Sequence, residues 1–175
     1  MQDRFGASAG SMLAAVIPFL TGLLGAIAAN IPISLFSGGV PPPLLSLMPV
    51  YFWCLVRPDL MPPGAAFAIG LTEDLLSGGP PGVWALSFLV CYAIVDRQRD
   101  IFAGLAGFGA ILGFAAIVLG AAGVAYATVS LLNSRLLPVE MLLLEIAVSV
   151  TFYIPTLWLM NGIQHRIIGP LRSEF

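Results

Sequence analysis

The sequence predicts an all-α, polytopic membrane protein with about six transmembrane helices, and three observations carry that prediction. Only 9% of the residues are charged while 59% are hydrophobic, whereas a soluble domain uses about 25% charged residues to cover its surface. Long apolar runs recur through all 175 residues, separated by short breaks rich in Pro and Gly. Those runs are apolar on every side, whereas the strands of a transmembrane barrel alternate apolar and polar positions. The runs occupy nearly the whole chain, so the sequence is read as one transmembrane domain, 1–175, without room for a separate soluble domain.

The first span, 11–36, follows a short polar segment containing Arg4. Ala26-Ile27-Ala28 resembles a signal-peptide cleavage site, but the run exceeds the roughly 7–15 residues of a signal-peptide core, so it reads as an uncleaved helix. Pro18 and Pro32 are expected to kink it or end it. After Ser37-Gly38-Gly39-Val40-Pro41-Pro42-Pro43, the second span, 44–56, is short, carries Pro49 and ends in Tyr51, Phe52 and Trp53. Arg57-Pro58-Asp59 and Pro62-Pro63 then form a tight polar turn, with Arg57 and Asp59 paired across it.

Spans three and four, 64–76 and 83–95, are 13 residues each, about 20 Å as helix against a hydrocarbon core of ~30 Å. Two crossings are favoured because the turn residues can lengthen each helix, and a re-entrant hairpin is the alternative. Asp96-Arg97-Gln98-Arg99-Asp100 reads as an exposed loop. Span five, 102–132, is longer than a crossing needs and must tilt, kink at a glycine or project from the bilayer. Asn133-Ser134-Arg135 and Pro138 form the next turn, and span six, 139–160, is expected to break at Pro155 before a polar tail with His165, Arg166 and Arg172.

All seven basic residues are arginines, and they orient the six spans. With the N-terminus cytoplasmic, Arg4, Arg57, Arg97, Arg99, Arg166 and Arg172 lie inside and only Arg135 outside, which places both termini in the cytoplasm. No run is basic enough to hold nucleic acid. Cys54 and Cys91 each sit within an apolar run and read as buried free thiols. His165 is the single histidine, so no His-based metal cluster can be built. No nucleophile–base pair, phosphate loop or metal spacing appears, so the chain reads as neither an enzyme nor a cofactor-binding protein.

The acidic residues need a reason, because a carboxylate facing lipid costs several kcal/mol. Glu73 and Asp74 end the apolar part of Gly64–Gly82, just before Ser77-Gly78-Gly79-Pro80-Pro81-Gly82. They form either a proton or cation site within the bundle, or a structural point where Asp74 accepts backbone N–H groups of the glycine turn or caps the next helix. The second is favoured, since no intramembrane Lys, Arg or His accompanies them. Glu145 either pairs with Arg135 or lines a polar face with Ser149, and Glu140 lies at the start of the same span. The glycines Gly64, Gly70, Gly78, Gly79 and Gly82, with Gly109, Gly113, Gly120 and Gly123 later, suggest closely approaching helices.

Pro49, Tyr51, Trp53, Arg57-Pro58, Gly64, Phe67, Gly70, Asp74-Leu75, Ser77-Gly78, Gly82 and Ala85-Leu86, in that order, resemble the pattern of the MreD family of rod shape-determining membrane proteins. The detailed likeness covers about Pro41–Val95, with the chain length, span number and late Pro155 also similar. Glu73 stands where the pattern leads one to expect an apolar residue. The resemblance implies a non-enzymatic inner-membrane scaffold of the bacterial elongation machinery, supporting lateral peptidoglycan synthesis. It implies MreC as partner, with MreB and the RodA–transpeptidase synthase in the same machinery, membrane lipid around it, and leaves self-association open. Arg57, Pro58, Gly64, Gly70, Asp74, Gly78 and Gly82 are its implied partner-binding or structural positions. The family also looks similar in fold to the substrate-binding membrane subunits of energy-coupling vitamin transporters. A small-molecule-binding transporter subunit, with Asp74 or Glu145 in its cavity, is therefore the alternative.

Overall fold

Leu47 to Cys54 are buried without interruption, so helix α2 (Leu47–Val56) is apolar all round and enclosed all round. The computed structural model describes residues 3–31, 41–103, 108–134 and 139–168, and among these every regular element is helical. Around α2 stand α1 (Asp3–Ala29), α4 (Val83–Arg97), α6 (Phe108–Asn133) and α7 (Val139–Ile163), while α3 (Pro63–Ser77) packs outside against α1 and α4. A short α5 (Arg99–Ala103) follows α4. Tyr51 of α2, Phe114 of α6 and Tyr153 of α7 meet at the centre, with ring centroids 5.5 Å (Tyr51–Phe114), 5.8 Å (Tyr51–Tyr153) and 4.0 Å (Phe114–Tyr153) apart. Such contacts add to the gain from burying the rings.

Cross-contacts fix the direction of each helix. Asn30 meets Glu73, and Gly22 lies against Ile69, so α1 and α3 run in parallel. Trp53 donates its indole N–H to Thr21 Oγ1 at 3.0 Å while Ser46 lies against Gly25, so α2 runs the opposite way. Long helices thus alternate through the bundle and define two ends. One carries Arg57, Asp59, Arg97, Arg99 and Arg166; the other carries Asn30, Ser46, Glu73, Asp74 and the Gly78–Gly82 turn.

Several expectations change on contact with the structure. Pro155 does not break the last long helix, which continues to Ile163. Proline removes one N–H from the ladder and crowds the preceding turn, and one residue further on the Thr156 hydroxyl donates to the Phe152 carbonyl at 2.8 Å. Pro18 likewise lies inside α1, which ends at Ala29; Pro32 and the stretch 32–40 lie outside the described residues. Pro49 falls in the first turn of α2, where its missing N–H has no helical partner to lose. The 96–100 stretch is helical apart from Gln98, because α4 extends through Arg97 and α5 begins at Arg99. The run read as span five, 102–132, takes in the end of α5 and nearly all of α6, with 104–107 outside the described residues.

Among the described residues, two helices, Gly109–Leu132 and Val139–Arg166, are long and apolar enough to cross a membrane. Leu75, Leu131 and Trp158 are 72%, 80% and 84% exposed, and these are outward-facing groups that lipid accommodates and water does not. At 15 residues, α3 and α4 are about 22 Å long, while the 26 residues of α6 give about 39 Å. The end of α6 therefore continues past the first turn of α4.

Candidate functional site

Glu73 and Asp74 are both buried, 5% and 3% exposed, yet neither is idle. Neighbouring helical residues point about 100° apart, so the pair serves opposite flanks of α3. Glu73 faces α1 and the segment before α2: Asn30 Nδ2 donates to its Oε1 at 2.7 Å and Ser46 Oγ to its Oε2 at 2.6 Å. Asp74 faces α4, where its Oδ1 accepts the Trp84 N–H at 2.8 Å and its Oδ2 accepts those of Gly82 at 2.9 Å and Ala85 at 3.1 Å. The first N–H groups of a helix have no partner within it. Gly82, at the N-cap position of α4, has no side chain to supply one, so Asp74 caps α4 from another helix. A carboxylate also complements the positive end of the helix dipole there.

Glycines make these approaches geometrically possible. A Cβ on Gly70 would lie 2.7 Å from both Ala85 Cα and the Trp84 carbonyl oxygen, so only glycine lets α3 touch the α4 backbone. A Cβ on Gly25 would lie 2.6 Å from the Leu45 carbonyl oxygen, and this contact brings Ser46 to Glu73. Gly78 (φ 67°) and Gly82 (φ 97°) are required for a different reason, their left-handed backbone. A Cβ on Gly64, Gly120 or Gly123 would meet nothing within 4 Å, so the expectation of close packing fails for these three. Arg57 donates from Nε to Asp59 Oδ1 at 3.0 Å and from Nη2 to Oδ2 at 2.9 Å, around Pro58 at the start of a short 3-10 turn.

Beside the Asp74 end, α4, α6 and α7 part to leave an open groove of about 330 Å³. Ala122 and Ala125 form its floor, and Trp84, Tyr126 and Met141 are among its walls. Glu145 projects to it and makes no hydrogen bond or ion pair among the described residues. Arg135, its expected partner, lies outside them. Ser149, one turn further along the same face of α7, is buried and accepts the Leu44 N–H at 3.0 Å, so its hydroxyl does not bond to Glu145. Glu140 is exposed. The enclosed cavity between Tyr51, Cys54, Cys91 and Ile117 is only about 10 Å³, room for one water. Cys54 and Cys91 are buried free thiols, and no cluster of metal-ligating side chains occurs among the described residues.

Sequence reasoning singled out Asp74 and Gly70 but missed Asn30, Ser46 and Gly25, which complete the arrangement. The signal was available, because a buried amide and hydroxyl inside apolar runs must find polar partners.

A family profile, rod shape-determining protein MreD, matches the chain over residues 9–163. The chain belongs to the MreD family. Its resemblance at Pro41–Val95 is thus part of a likeness running through nearly the whole chain, α1 and α7 included. Membership makes this a membrane protein of a shape-determining family. No curated protein and no solved structure matches the chain. Within this MreD-family chain, the Asp74 cap joins the two helices of the α3–α4 hairpin and Glu73 ties that hairpin to α1 and the start of α2, while the groove stays open among the described residues.

Proposed function

We propose that this chain is a non-enzymatic scaffold of the bacterial cell-elongation machinery, seated in the inner membrane and binding the transmembrane helix of MreC in the groove between α4, α6 and α7. Through that complex it acts with the RodA–transpeptidase synthase and MreB to support lateral peptidoglycan synthesis and rod shape. The observation that carries the reading is the form of the unfilled space. It is an open groove with a small-residue floor at Ala122 and Ala125, and small residues allow a second helix to approach closely in lipid. A transporter subunit calls for a closed chamber of several hundred Å³, whereas the cavity between Tyr51, Cys54, Cys91 and Ile117 is about 10 Å³.

The six helices α1, α2, α3, α4, α6 and α7 act as spans in this reading, with α3 and α4 both crossing. All four arginines with described side chains, Arg57, Arg97, Arg99 and Arg166, lie at the end where α1 begins. The excess of arginine on the cytoplasmic side then puts both termini in the cytoplasm and the Asp74 turn outside.

Co-expression with tagged MreC and purification in mild detergent tests the reading. Ala125→Trp fills the groove floor and is expected to abolish MreC recovery while the variant remains monodisperse. Unchanged recovery from that variant would reject the groove as the docking site. Purified chain that carries a small-molecule ligand and no MreC would favour the transporter alternative.

A further inference from the structure

We infer that the occupant of the α4–α6–α7 groove is a transmembrane segment carrying an arginine or lysine near its outer end, and that this side chain pairs with Glu145. The inference rests on the scaffold reading and adds to it the chemistry of recognition. Glu145 stands in a groove otherwise lined mainly by apolar groups, among them Trp84, Ala122, Ala125, Met141 and Leu142. It has no hydrogen-bond or ionic partner among the described residues. A carboxylate held in such surroundings without a partner is unfavourable, and a charged donor brought in by the occupant relieves it.

The chain's own charges sharpen the match. Glu73 and Asp74 lie at the same end of the bundle, and both are committed, Glu73 to Asn30 and Ser46, and Asp74 to three backbone N–H groups. They add negative potential without competing for a cation. Arg57, Arg97, Arg99 and Arg166 stand at the opposite end. Among the described residues, the groove therefore presents the Glu145 carboxylate without an ionic partner and close to two other acidic groups, and an occupant with a positive outer end complements it in sign. Ala122 is closed off beneath the groove and Ala125 is 7% exposed at it, so no large side chain rises from that part of α6 to hold a helix off.

The test compares full-length variants for recovery of MreC after co-expression. Glu145→Gln is expected to lower recovery about tenfold or more, and Glu145→Arg to lower it further. Replacing the outermost basic residue of the MreC span by glutamate should restore recovery with Glu145→Arg. A photo-crosslinking residue at Leu142 should capture MreC, whereas the same residue at exposed Trp158 should not. Full recovery with Glu145→Gln, while Ala125→Trp abolishes it, would overturn the role of Glu145 and leave the groove reading intact. Full recovery with both variants would overturn both. An equal loss from Arg135→Gln would show that Glu145 is held by its own chain, which also rejects the inference.

Discussion

Asp74 divides two oxygens among three N–H groups, which is work a carboxylate does and a carboxamide does poorly. In Asp74→Asn the amide NH2 faces N–H groups that need an acceptor, and leaving a buried donor unpaired costs about 1–3 kcal/mol. The expected result is a clear fall in the thermal midpoint in detergent, with loss of shape support following from lost assembly. An unchanged midpoint would mean that the cap is energetically unimportant. Glu73→Leu is expected to destabilise by a similar amount, because Asn30 and Ser46 lose their acceptor together. The double variant Glu73→Leu with Ser46→Ala should recover part of that loss, and thermal scans of all three proteins measure it. Arg57 and Asp59 form a more exposed pair, and the Arg57 guanidinium holds the Asp59 carboxyl below its ordinary range while the Arg57 pKa is raised. A depressed carboxylate stabilises the fold above its unfolded pKa of about 3.9 and loses that contribution as pH falls through the lower folded value. At 56% exposure of Asp59 the effect is under about 1 kcal/mol. The stability difference between the native chain and Asp59→Asn should accordingly shrink only below about pH 4.

At the scale of elements, the α3–α4 hairpin is the unit that two unlike requirements define. Gly70 removes side-chain volume where the helices touch, while Gly78 and Gly82 supply left-handed backbone at the turn. Substitution separates the two. Gly70→Ala brings a methyl to 2.7 Å from the α4 backbone and is expected to cost about 1–3 kcal/mol through forced separation of the helices. Gly78→Ala meets open space and should cost about 1 kcal/mol through strain at positive φ alone. Comparing their thermal midpoints checks this order, and a larger bulky residue at Gly70 is expected to reduce MreC recovery. Equal losses would show that packing and backbone strain had been wrongly distinguished. The Pro residues teach a related lesson. Pro63 starts α3 at N1, where proline suits a helix, but Pro18 and Pro155 lie inside helices that simply continue. In lipid, unpaired backbone groups have no water to turn to, so a helix tends to repair around a proline rather than end there.

The whole molecule is built around its shortest fully enclosed helix. α2 is only 10 residues long, yet it contacts α1, α4, α6 and α7, and its Tyr51 joins the ring cluster with Phe114 and Tyr153. Tyr51→Ala removes a side chain that is 1% exposed, and loss of about 3–5 kcal/mol is expected from comparable large-to-small changes at buried aromatics. Failure of the variant to purify as a monodisperse species, or a sharply lower midpoint, is the outcome to look for. A variant as stable as the native chain would remove α2 from its central place.

What the sequence determined by itself was everything that depends on composition and local order: an all-α membrane protein, the family, the Arg57–Asp59 turn, and Asp74 as a polar group at a helix end. Apolar runs, proline positions and arginine placement are properties of neighbouring residues, and they survive being read one after another. The partners of Glu73 were decided only in three dimensions, since Asn30 and Ser46 are 43 and 27 residues away and nothing local links them. The same holds for which glycines serve packing and which serve the turn, because a GxxxG spacing states a possibility that only the approaching backbone turns into a contact. Glu145 shows the difference most plainly. Of the company the sequence offered it, Arg135 lies outside the described residues, while helix packing gave Ser149 to Leu44 and left Glu145 at the groove. A buried polar group takes the partner that the fold brings within 3 Å, and that distance is set by tertiary structure.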